Sequence, residues 1–533
     1  MSNIVETPPN LPDDVGALKS IIGVQTLEIE RLKEELRLAR HKRFGASSEK
    51  SDPDQLGLFN EAETLAAMPE SDATADDITV PEHKRAKGCR KPIDPNLPRV
   101  RIEHDIAEAD KLCPCGSGHL RPRIGEMVAE QADIVPAKIQ VLQHVRFKYG
   151  PCRVCDGVFP EAAAGDTAAA EEERAIIVAP LPAQPIPKSI ASPNTCAFVV
   201  TAKYADGLPL YRQEKILARY GLDVSRGTLA SWMIRLGELT VPLMNLMEET
   251  QLGYDVLQMD ETTVQVLKED GRAAQTKSRM WVRRGGPPGK PVILFNYEPT
   301  RSGKVAWRLT EDFRGTLQSD GYSGYDAVGR RNGIVHVGCL AHARRKFDEA
   351  LKAQKQNGRG GLAAAGLALI QKIYRVEKLA RELGLSADAR KRLRDEKARL
   401  VWDELRAWLD RVRRQAPPST KIGEALGYLD NQWSLLIRVL DDGRIEVDNN
   451  ACENAIRPFV IGRNAWLFSD TPAGAEASAR LYSLIETAKA CGQEPYAYLA
   501  RVFTELPKAT TLAEIEALLP WAIARPATHS VAA

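Results

Sequence analysis

The sequence predicts a multidomain protein of mixed α+β and α/β class, in which a tract of helices interrupts a domain built on a sheet. Three observations lead to this prediction. The chain has 533 residues, more than one hydrophobic core usually accommodates. The spacing of apolar residues changes from helical to strand-like and back to helical along the chain. Acidic residues lie in and beyond the strand-like part, where they could enter one shared cleft.

Composition restricts the kinds of partner that the chain could have. The 73 Lys and Arg residues nearly balance the 71 acidic residues, and the formal net charge of +2 by itself indicates no particular partner. The local balance is different, because residues 81–104 contain seven basic and three acidic residues in a Pro-rich stretch. We expect that stretch to be a flexible basic arm.

The apolar and cysteine residues indicate the compartment. No run of about 18 apolar residues occurs, and the N-terminus lacks the pattern of a secretory signal. We therefore expect a cytoplasmic protein. The nine cysteines include two close pairs, and the others are scattered. This arrangement favours metal ligation in a reducing compartment over a disulfide framework.

Residues 1–50 are predicted to contain a zipper-like helix. Residues at alternating steps of four and three form a heptad seam that is apolar except at one position: Leu18, Ile22, Gln25, Ile29, Leu32, Leu36 and Ala39. Such a seam could pair two protomers, and it could also dock the helix on its own protein. Residues 51–105, which end in the basic arm, are predicted to be a flexible linker.

Residues 106–160 are predicted to form a zinc-binding segment. Four thiolates come from two close pairs, Cys113 with Cys115 and Cys152 with Cys155. Four thiolates favour tetrahedral zinc in a structural site. The first pair is tighter than usual, so His119 or a shifted register could replace one ligand, and unpaired buried thiols are the alternative. Between the pairs, residues 138–148 alternate in the manner of a strand.

Residues 175–250 are predicted to form a helical DNA-binding domain, with helices over residues 195–204, 210–220 and 225–239. Gly221 suits the end of the second helix and Ser225 the start of the third, which is typical of a helix-turn-helix. Polar residues on or near one face of the third helix could meet DNA: Arg226, Thr228, Ser231 and Arg235. Leu229 and Trp232 would face the partner helix. Many helical hairpins share this pattern without binding DNA.

Residues 251–475 are predicted to form the sheet domain, with a helical insertion at about 342–430. Strand-like runs cover residues 256–266, 279–284 and 291–297, and two shorter runs end near residues 320 and 338. The charged, Ala-rich tract that follows is predicted to be helical. Another helix should begin near Asn449 and break after Arg457, because Pro458 follows. Residues 476–533 are predicted to be a helical C-terminal tail.

Two acidic residues end strand-like runs in the same way. Asp260 follows an apolar run that ends at Met259, and alternation turns the neighbouring Glu261 to the opposite face. Asp320 is followed by Gly321. Each acid could enter a cleft at the edge of the sheet, and each could equally open a turn.

A third acid, Glu453, lies on a helix that Asp448, Asn449 or Asn450 could cap. An ordinary surface pair with Arg457, one turn later, is one interpretation. Polar residues cluster here beside an apolar segment and favour a phosphate-handling surface: Asn450, Glu453, Arg457, Arg463 and Asn464. Phosphodiester chemistry with two divalent cations needs carboxylates from separate elements. Asp260, Asp320 and Glu453 could supply them.

Cys339 and His342 could be half of another metal site. No second half is visible in the sequence, so a buried cysteine at the start of a basic helix is the favoured interpretation.

Motifs along nearly the whole chain resemble those of the insertion sequence 66 family of transposases. They are Arg43-Phe-Gly-Ala-Ser-Ser-Glu-Lys50, the paired cysteines, Leu208-Pro-Leu-Tyr-Arg-Gln213, Met259-Asp-Glu-Thr262, Ser319-Asp-Gly-Tyr322, Gly338-Cys-Leu-Ala-His-Ala-Arg-Arg-Lys-Phe347 and Asn449-Asn-Ala-Cys-Glu-Asn-Ala-Ile-Arg-Pro458. Together these motifs are specific. Two positions depart from the family pattern: Cys113 and Cys115 are one residue apart instead of two, and Asn464-Ala465 stands where a Lys-Asn pair is common.

The resemblance implies a DNA transposase with a ribonuclease-H-like catalytic domain. Asp260, Asp320 and Glu453 would be its Asp-Asp-Glu triad and would hold Mg²⁺ or Mn²⁺. Arg457 and Arg463 would stabilise the reacting phosphate during strand cleavage and attack by the freed 3′-OH on target DNA. Expected partners are double-stranded DNA at the element ends and target, a second protomer, and small accessory proteins encoded by the element, with the protein at the nucleoid. The alternatives are a DNA-binding regulator that no longer cuts and a ribonuclease-H-like nuclease without recombination.

Overall fold

The computed structural model of the protein describes residues 14–44, 139–149, 177–353 and 361–524. By its contacts the chain divides into two compact units, one of residues 70–142 and one of the remaining residues. The four paired cysteines and the whole predicted linker, including the basic arm, lie outside the described residues. In the described part of the chain, no helix is both long and apolar enough to cross a bilayer.

The N-terminal helix, α1 (Val15–Phe44), carries the predicted heptad seam. It packs against a helix at Leu340–Ala353. Leu38 of α1 is only 7% exposed, and Glu34 Oε2 accepts the backbone N–H of Lys421 at 2.8 Å. Four apolar seam residues stay at least half exposed: Ile22, Ile29, Leu32 and Leu36. The helix is therefore docked on its own protein by one face, while its seam faces solvent.

The strand predicted over residues 138–148 is wrong for most of its length. Residues 139–147 have no regular structure, and only β1 (Lys148–Tyr149) pairs, antiparallel with β2 (Ile177–Val178). Val141 is 90% exposed. A sequence with alternating apolar residues forms a strand where a partner strand pairs with it and a core covers its apolar face. The described residues provide neither for residues 139–147.

Three helices confirm those predicted between residues 195 and 239: α2 (Pro193–Tyr204), α3 (Leu210–Arg219) and α4 (Arg226–Leu239). A fourth helix, α5 (Val241–Leu252), follows them. Local chemistry sets the ends of α3 and α4. Gly221 has a φ of +86°, a conformation that suits glycine and lets the chain leave α3. Ser225 Oγ accepts the backbone N–H of Thr228 at 3.2 Å and caps α4.

A five-stranded mixed sheet lies at the centre of the larger unit. Its strands confirm the strand-like runs of the sequence: β3 (Val256–Gln265), β4 (Lys277–Gly285), β5 (Val292–Glu298), β6 (Gly315–Gln318) and β7 (Ile334–Val337). Their order is β5-β4-β3-β6-β7. The three longer strands are antiparallel neighbours, whereas β6 is parallel to β3 and β7 is parallel to β6. The long strand β3 is therefore central, with a partner on each side.

Helices and loops cover both faces of the sheet. On one face, Leu257, Met259 and Trp281 share a core with α6 (Gly303–Leu309) and α7 (Asp326–Gly329). Residues of β4 and β5 also share a second, larger core with α2, α4, α5 and the C-terminal helices. Strand β5 begins with the buried apolar run Val292-Ile-Leu-Phe295, whereas β4 also carries charged residues, among them the buried Arg283.

The tract after β7 has a core of its own. Its helices are α8 (Leu340–Ala353), α9 (Leu362–Glu382), α10 (Ala387–Leu393), α11 (Arg399–Val412) and α12 (Lys421–Leu436). Buried Arg394 donates to Glu377 Oε1 at 2.7 Å and to the carbonyl of Ile445 at 2.8 Å. This guanidinium joins the helical tract to the segment that leads into the next helix.

That next helix, α13 (Asn450–Trp466), continues through Pro458, so the break predicted after Arg457 is wrong. A proline inside a helix costs about 3 kcal/mol or more. Tertiary packing offsets this cost, since Phe459 is fully buried against Phe295, Trp466 and Tyr482, with ring centroids 5.3–6.2 Å apart.

The chain ends in α14 (Pro472–Ala490), α15 (Pro495–Glu505) and α16 (Leu512–Glu516). Helix α14 packs against β5 and α4 and contributes buried residues to the larger core. The boundary that the sequence placed between residues 475 and 476 falls within α14. This helix therefore belongs with the sheet on which it packs.

Candidate active site

The three predicted carboxylates come from three neighbouring elements. Asp260 lies on β3, Asp320 lies two residues beyond β6, and Glu453 lies in the first turn of α13, which packs on β3. In the parallel pairing of these strands, Gln258 is opposite Gln318. Two residues further along, Asp320 lies beyond the end of β6, whereas Asp260 is still paired with Val282 within β3, so the strand end predicted at Asp260 is wrong.

The three acids influence one another electrostatically. Burial raises the pKa of Asp260 well above its usual range, and the charges of Glu261, Glu453 and Asp320 raise it further. The Asp260 carboxylate is partly compensated, since its Oδ1 accepts the backbone N–H of Glu261 at 2.8 Å. Mutual repulsion of this kind is expected where carboxylates converge to bind cations.

The ligand atoms of the three acids do not all lie within 4.8 Å of one another. Among the described residues, the group of three that meets this limit is Cys339, His342 and Glu453. The three acids as placed therefore do not meet the spacing of ligands to one shared ion. Two ions in a two-metal site are about 3.5–4 Å apart, so ligands of different ions need not share one coordination sphere.

Asp320 is held by the turn that follows β6. The backbone N–H of Tyr322 donates to Asp320 Oδ1 at 3.0 Å, as in an Asx turn. Arg301 approaches from the loop after β5, with its Nη2 3.7 Å from Asp320 Oδ2. The same guanidinium stacks over the Tyr322 ring at 3.8 Å from its centroid.

Glu261 lies on the opposite face of β3, as alternation predicted. Its carboxylate accepts a hydrogen bond from Tyr325 Oη at 2.8 Å and another from Arg301 Nε. Arg301 thus links Glu261 and Asp320 across the end of the sheet. No motif or periodicity in the sequence pointed to Arg301.

Two contacts hold the start of α13 on β3. Asn449 Nδ2 donates to the carbonyl of Met259 at 2.9 Å, and the Cys452 thiol approaches the carbonyl of Gln258 at 3.8 Å. Gln258 Nε2 in turn donates to Gln318 Oε1 at 2.8 Å, which joins β3 to β6. The elements that carry the three acids are therefore connected directly by hydrogen bonds.

Glu453 is 5% exposed, and its two carboxylate oxygens differ in their hydrogen bonding. Its Oε2 accepts from Arg345 Nη2 at 3.1 Å, whereas its Oε1 has no hydrogen-bond partner among the described residues. His342 Nδ1 lies 3.7 Å from that Oε1. The sequence favoured a buried cysteine and a basic helix start for Cys339 and His342. The structure confirms that Cys339 is buried and directly precedes α8, and it adds Glu453 to the same cluster.

The two predicted phosphate-binding arginines follow Glu453 along α13. Arg457 is half-buried one turn later. Arg463 Nη1 donates to Thr262 Oγ1 at 3.2 Å and to Thr263 Oγ1 at 2.8 Å, and burial lowers the pKa of its guanidinium. Arg463 thereby ties the last turn of α13 to the part of β3 just beyond Asp260.

The residues predicted to meet DNA lie on the exposed surface of α4: Arg226, Thr228, Ser231 and Arg235. Leu229 and Trp232 are buried, as predicted. The polar face of α4 is therefore accessible to a partner.

Comparison with known proteins identifies the family. A model described as "Transposase IS66 family" matches residues 188–477, more than half of the chain. The chain belongs to this transposase family. Three further models match residues 31–102 ("Transposase C of IS166 homeodomain"), 110–156 ("zinc-finger binding domain of transposase IS66") and 483–521 ("IS66 C-terminal element").

The zinc-finger model covers all four paired cysteines.

Two uncharacterized proteins of Sinorhizobium fredii, y4jD and y4qI, are each 30% identical to the chain. The similarity extends over 96% of this chain in both cases, and over 96% of y4jD and 97% of y4qI. A third uncharacterized protein of that organism, y4hP, is 28% identical over 93% of this chain and 88% of its own length.

Proposed function

We propose that the protein is a DNA transposase that binds the terminal inverted repeats of its element, cleaves DNA strands there, and joins the freed 3′-OH to target DNA. The observation that carries this proposal is the placement of Asp260, Asp320 and Glu453 on three adjacent elements. Family membership supports a transposase, and the arrangement of the acids supports the chemistry.

The sheet supports a ribonuclease-H-like catalytic domain. Three antiparallel strands lead to a crossover, and two short parallel strands then lie on the other side of the first. The proposed acids are on the central strand, after the adjacent parallel strand, and on a helix that packs on the central strand. Helices α8–α12 would be the insertion between the second acid and the third.

The donor set fits divalent cations. Asp260, Asp320 and Glu453 offer hard carboxylate oxygens of the kind that Mg²⁺ and Mn²⁺ bind. The buried, unpaired Oε1 of Glu453 and the raised pKa of Asp260 are both explained by a site built for positive charge. When bound, divalent cations would activate the nucleophile and stabilise the charge that develops on the reacting phosphate.

Side chains of this protein would perform the remaining tasks. Arg345 and Arg301 each pair with one carboxylate, at Glu453 and Asp320, and are partly exposed beside the site. They are placed to balance negative charge when a DNA phosphate enters. Arg457 would contact the phosphate from α13, while Arg463 would hold that helix on β3.

DNA recognition is assigned to the segments before the sheet. Helices α3 and α4 would act as a helix-turn-helix, with Arg226, Thr228 and Arg235 at the DNA. The zinc-binding segment, with Cys113, Cys115, Cys152 and Cys155 as ligands, and the basic arm would add contacts to the terminal repeats. The exposed seam of α1 would pair two protomers, so that two element ends meet in one complex.

The test is an Asp260→Asn variant assayed on labelled element-end DNA with Mg²⁺ or Mn²⁺. We expect cleavage and strand transfer to be lost and end binding to stay within a few-fold of the unsubstituted protein. Asp270→Asn, at an exposed position after β3, is the matched control and should cleave normally. Strand transfer by purified Asp260→Asn would contradict the assignment. If the unsubstituted protein binds ends but never cuts them, the protein is instead a regulator derived from a transposase.

A further inference from the structure

Two buried polar atoms face each other without a partner beside the proposed catalytic site. His342 Nδ1, in the first turn of α8, and Glu453 Oε1 each lack a hydrogen bond among the described residues. An unsatisfied buried polar group destabilises the folded protein. Two such atoms aimed at each other from different helices indicate a third group between them.

The distance between these atoms suits a shared cation. They are 3.7 Å apart, which is too long for a direct hydrogen bond. Donor atoms held about 2.1 Å from one divalent ion are roughly 3–4.2 Å apart, as the ligand angle opens from 90° to 180°. Both atoms could therefore bind the same ion without a change in the position of either helix.

The rest of the cluster leaves these two atoms free for that role. Arg345 occupies the other oxygen of Glu453, so Oε1 is the one available. The sulfur of Cys339 lies in the same group but already accepts the backbone N–H of Asn449 at 3.1 Å. We assign Cys339 to holding α8 against the start of α13.

We propose that His342 Nδ1 is a ligand of the divalent cation bound by Glu453, which gives that cation a mixed imidazole–carboxylate site and a preference for Mn²⁺ over Mg²⁺. This inference rests on the proposed function, since it takes Glu453 to be a metal ligand. Imidazole nitrogen is a favourable ligand for transition metals, whereas Mg²⁺ strongly prefers oxygen. Loss of His342 should therefore weaken Mn²⁺ binding more than Mg²⁺ binding.

The test is pulsed electron paramagnetic resonance on the full-length protein loaded with Mn²⁺ in the absence of DNA. A directly bound imidazole gives a ¹⁴N coupling to Mn²⁺, which a histidine with a purely structural role does not give. We expect this coupling in the unsubstituted protein and in His144→Ala, a control at an exposed histidine. We expect its loss in His342→Ala and in His342→Gln, the second variant serving if the first does not fold.

Titration of the same variants with each metal gives a second measurement. Affinity for Mn²⁺ should fall about 10- to 100-fold in His342→Gln, by analogy with the loss of groups that support a metal ligand, with a much smaller change for Mg²⁺. Asp260→Asn should abolish binding of Mn²⁺ at the catalytic site. The Mn²⁺ signal that is lost in this variant is therefore the one from the catalytic site.

The outcomes separate the two proposals. If Mn²⁺ binds in a manner that depends on Asp260 but shows no ¹⁴N coupling, the inference about His342 is overturned and the proposed function stands. If no bound Mn²⁺ depends on Asp260, the proposed function itself fails.

Discussion

Helix α4, which presents the proposed DNA-binding face, packs so closely on α14 that a single methyl group should disturb the contact. A Cβ added at Gly237 would lie 2.8 Å from the Cα and 2.9 Å from the Cβ of Ala477, both in α14. Ordinary contact begins at 3.4 Å, so the two helices would have to separate by about 0.6 Å. Overpacking of this kind costs about 1–3 kcal/mol.

The matched control is Gly227, near the start of the same helix, where an added Cβ meets only Ser225 Oγ at 3.8 Å. Alanine has a higher helix propensity than glycine by up to about 1 kcal/mol, and this gain affects both substitutions in the same direction. The difference between Gly237→Ala and Gly227→Ala therefore isolates the packing cost. We expect Gly237→Ala to be the less stable variant by about 1–3 kcal/mol.

Thermal unfolding measures this difference. One kcal/mol corresponds to roughly 2–4 °C in the melting temperature of a domain of 150–250 residues, so the two variants should be clearly resolved. The measurement should follow the transition of the sheet-containing unit, because a multidomain chain need not unfold in one step. Equal melting temperatures for the two variants would refute the close approach of α4 and α14.

Two further predictions concern pH and self-association. Burial lowers the pKa of His336 to about 4, so the folded protein keeps this side chain neutral while the unfolded chain protonates it below about 6.5. Stability should therefore be lost as pH falls from about 6.5 to 4, by up to about 3 kcal/mol, and His336→Gln should flatten this part of a plot of denaturation midpoint against pH. On α1, Leu32→Lys should shift the protein towards monomers in sedimentation without lowering its melting temperature, since Leu32 is half exposed. Leu38→Lys, at a buried position, should instead lower the melting temperature, and an effect of Leu32→Lys on stability alone would argue against pairing through the seam.

Local patterns predicted the elements whose chemistry is local. The helix over residues 225–239 has a serine cap and a glycine before it, and the strands around Asp260 have apolar runs bounded by turn residues. These features act within a few residues, so they can be recognised without knowledge of the fold. The motifs around Asp260, Asp320 and Glu453 were found in the same way.

Two predictions failed because tertiary packing, and not the local sequence, decided the secondary structure. Pro458 should end a helix, but burial of Phe459 against rings from β5 and α14 keeps α13 continuous. Residues 138–148 have the alternation of a strand, but among the described residues no partner strand or core covers 139–147. In the first case the deciding contact comes from residues far away in the sequence, and in the second such a contact is missing among the described residues.

The cluster beside the site shows the same limit. The sequence favoured a buried cysteine and a basic helix start for Cys339 and His342, and the structure adds Glu453, more than a hundred residues later, to their cluster. Arg301 gave no sign in the sequence because its role depends only on its position between Glu261 and Asp320. Both relationships arise when β6, β7 and α13 assemble around β3.

The sequence by itself determined the family, the order of helices and strands, and the three acids on which the proposed chemistry depends, because these follow from residue types at short spacing. Only the tertiary structure decided which side chains surround those acids. Pairing of β3 with β6 sets Asp260 level with Asp320, and packing of α13 on β3 brings Glu453 beside them and His342 beside Glu453. Such contacts join residues that are distant along the chain, so no pattern of neighbouring residues encodes them.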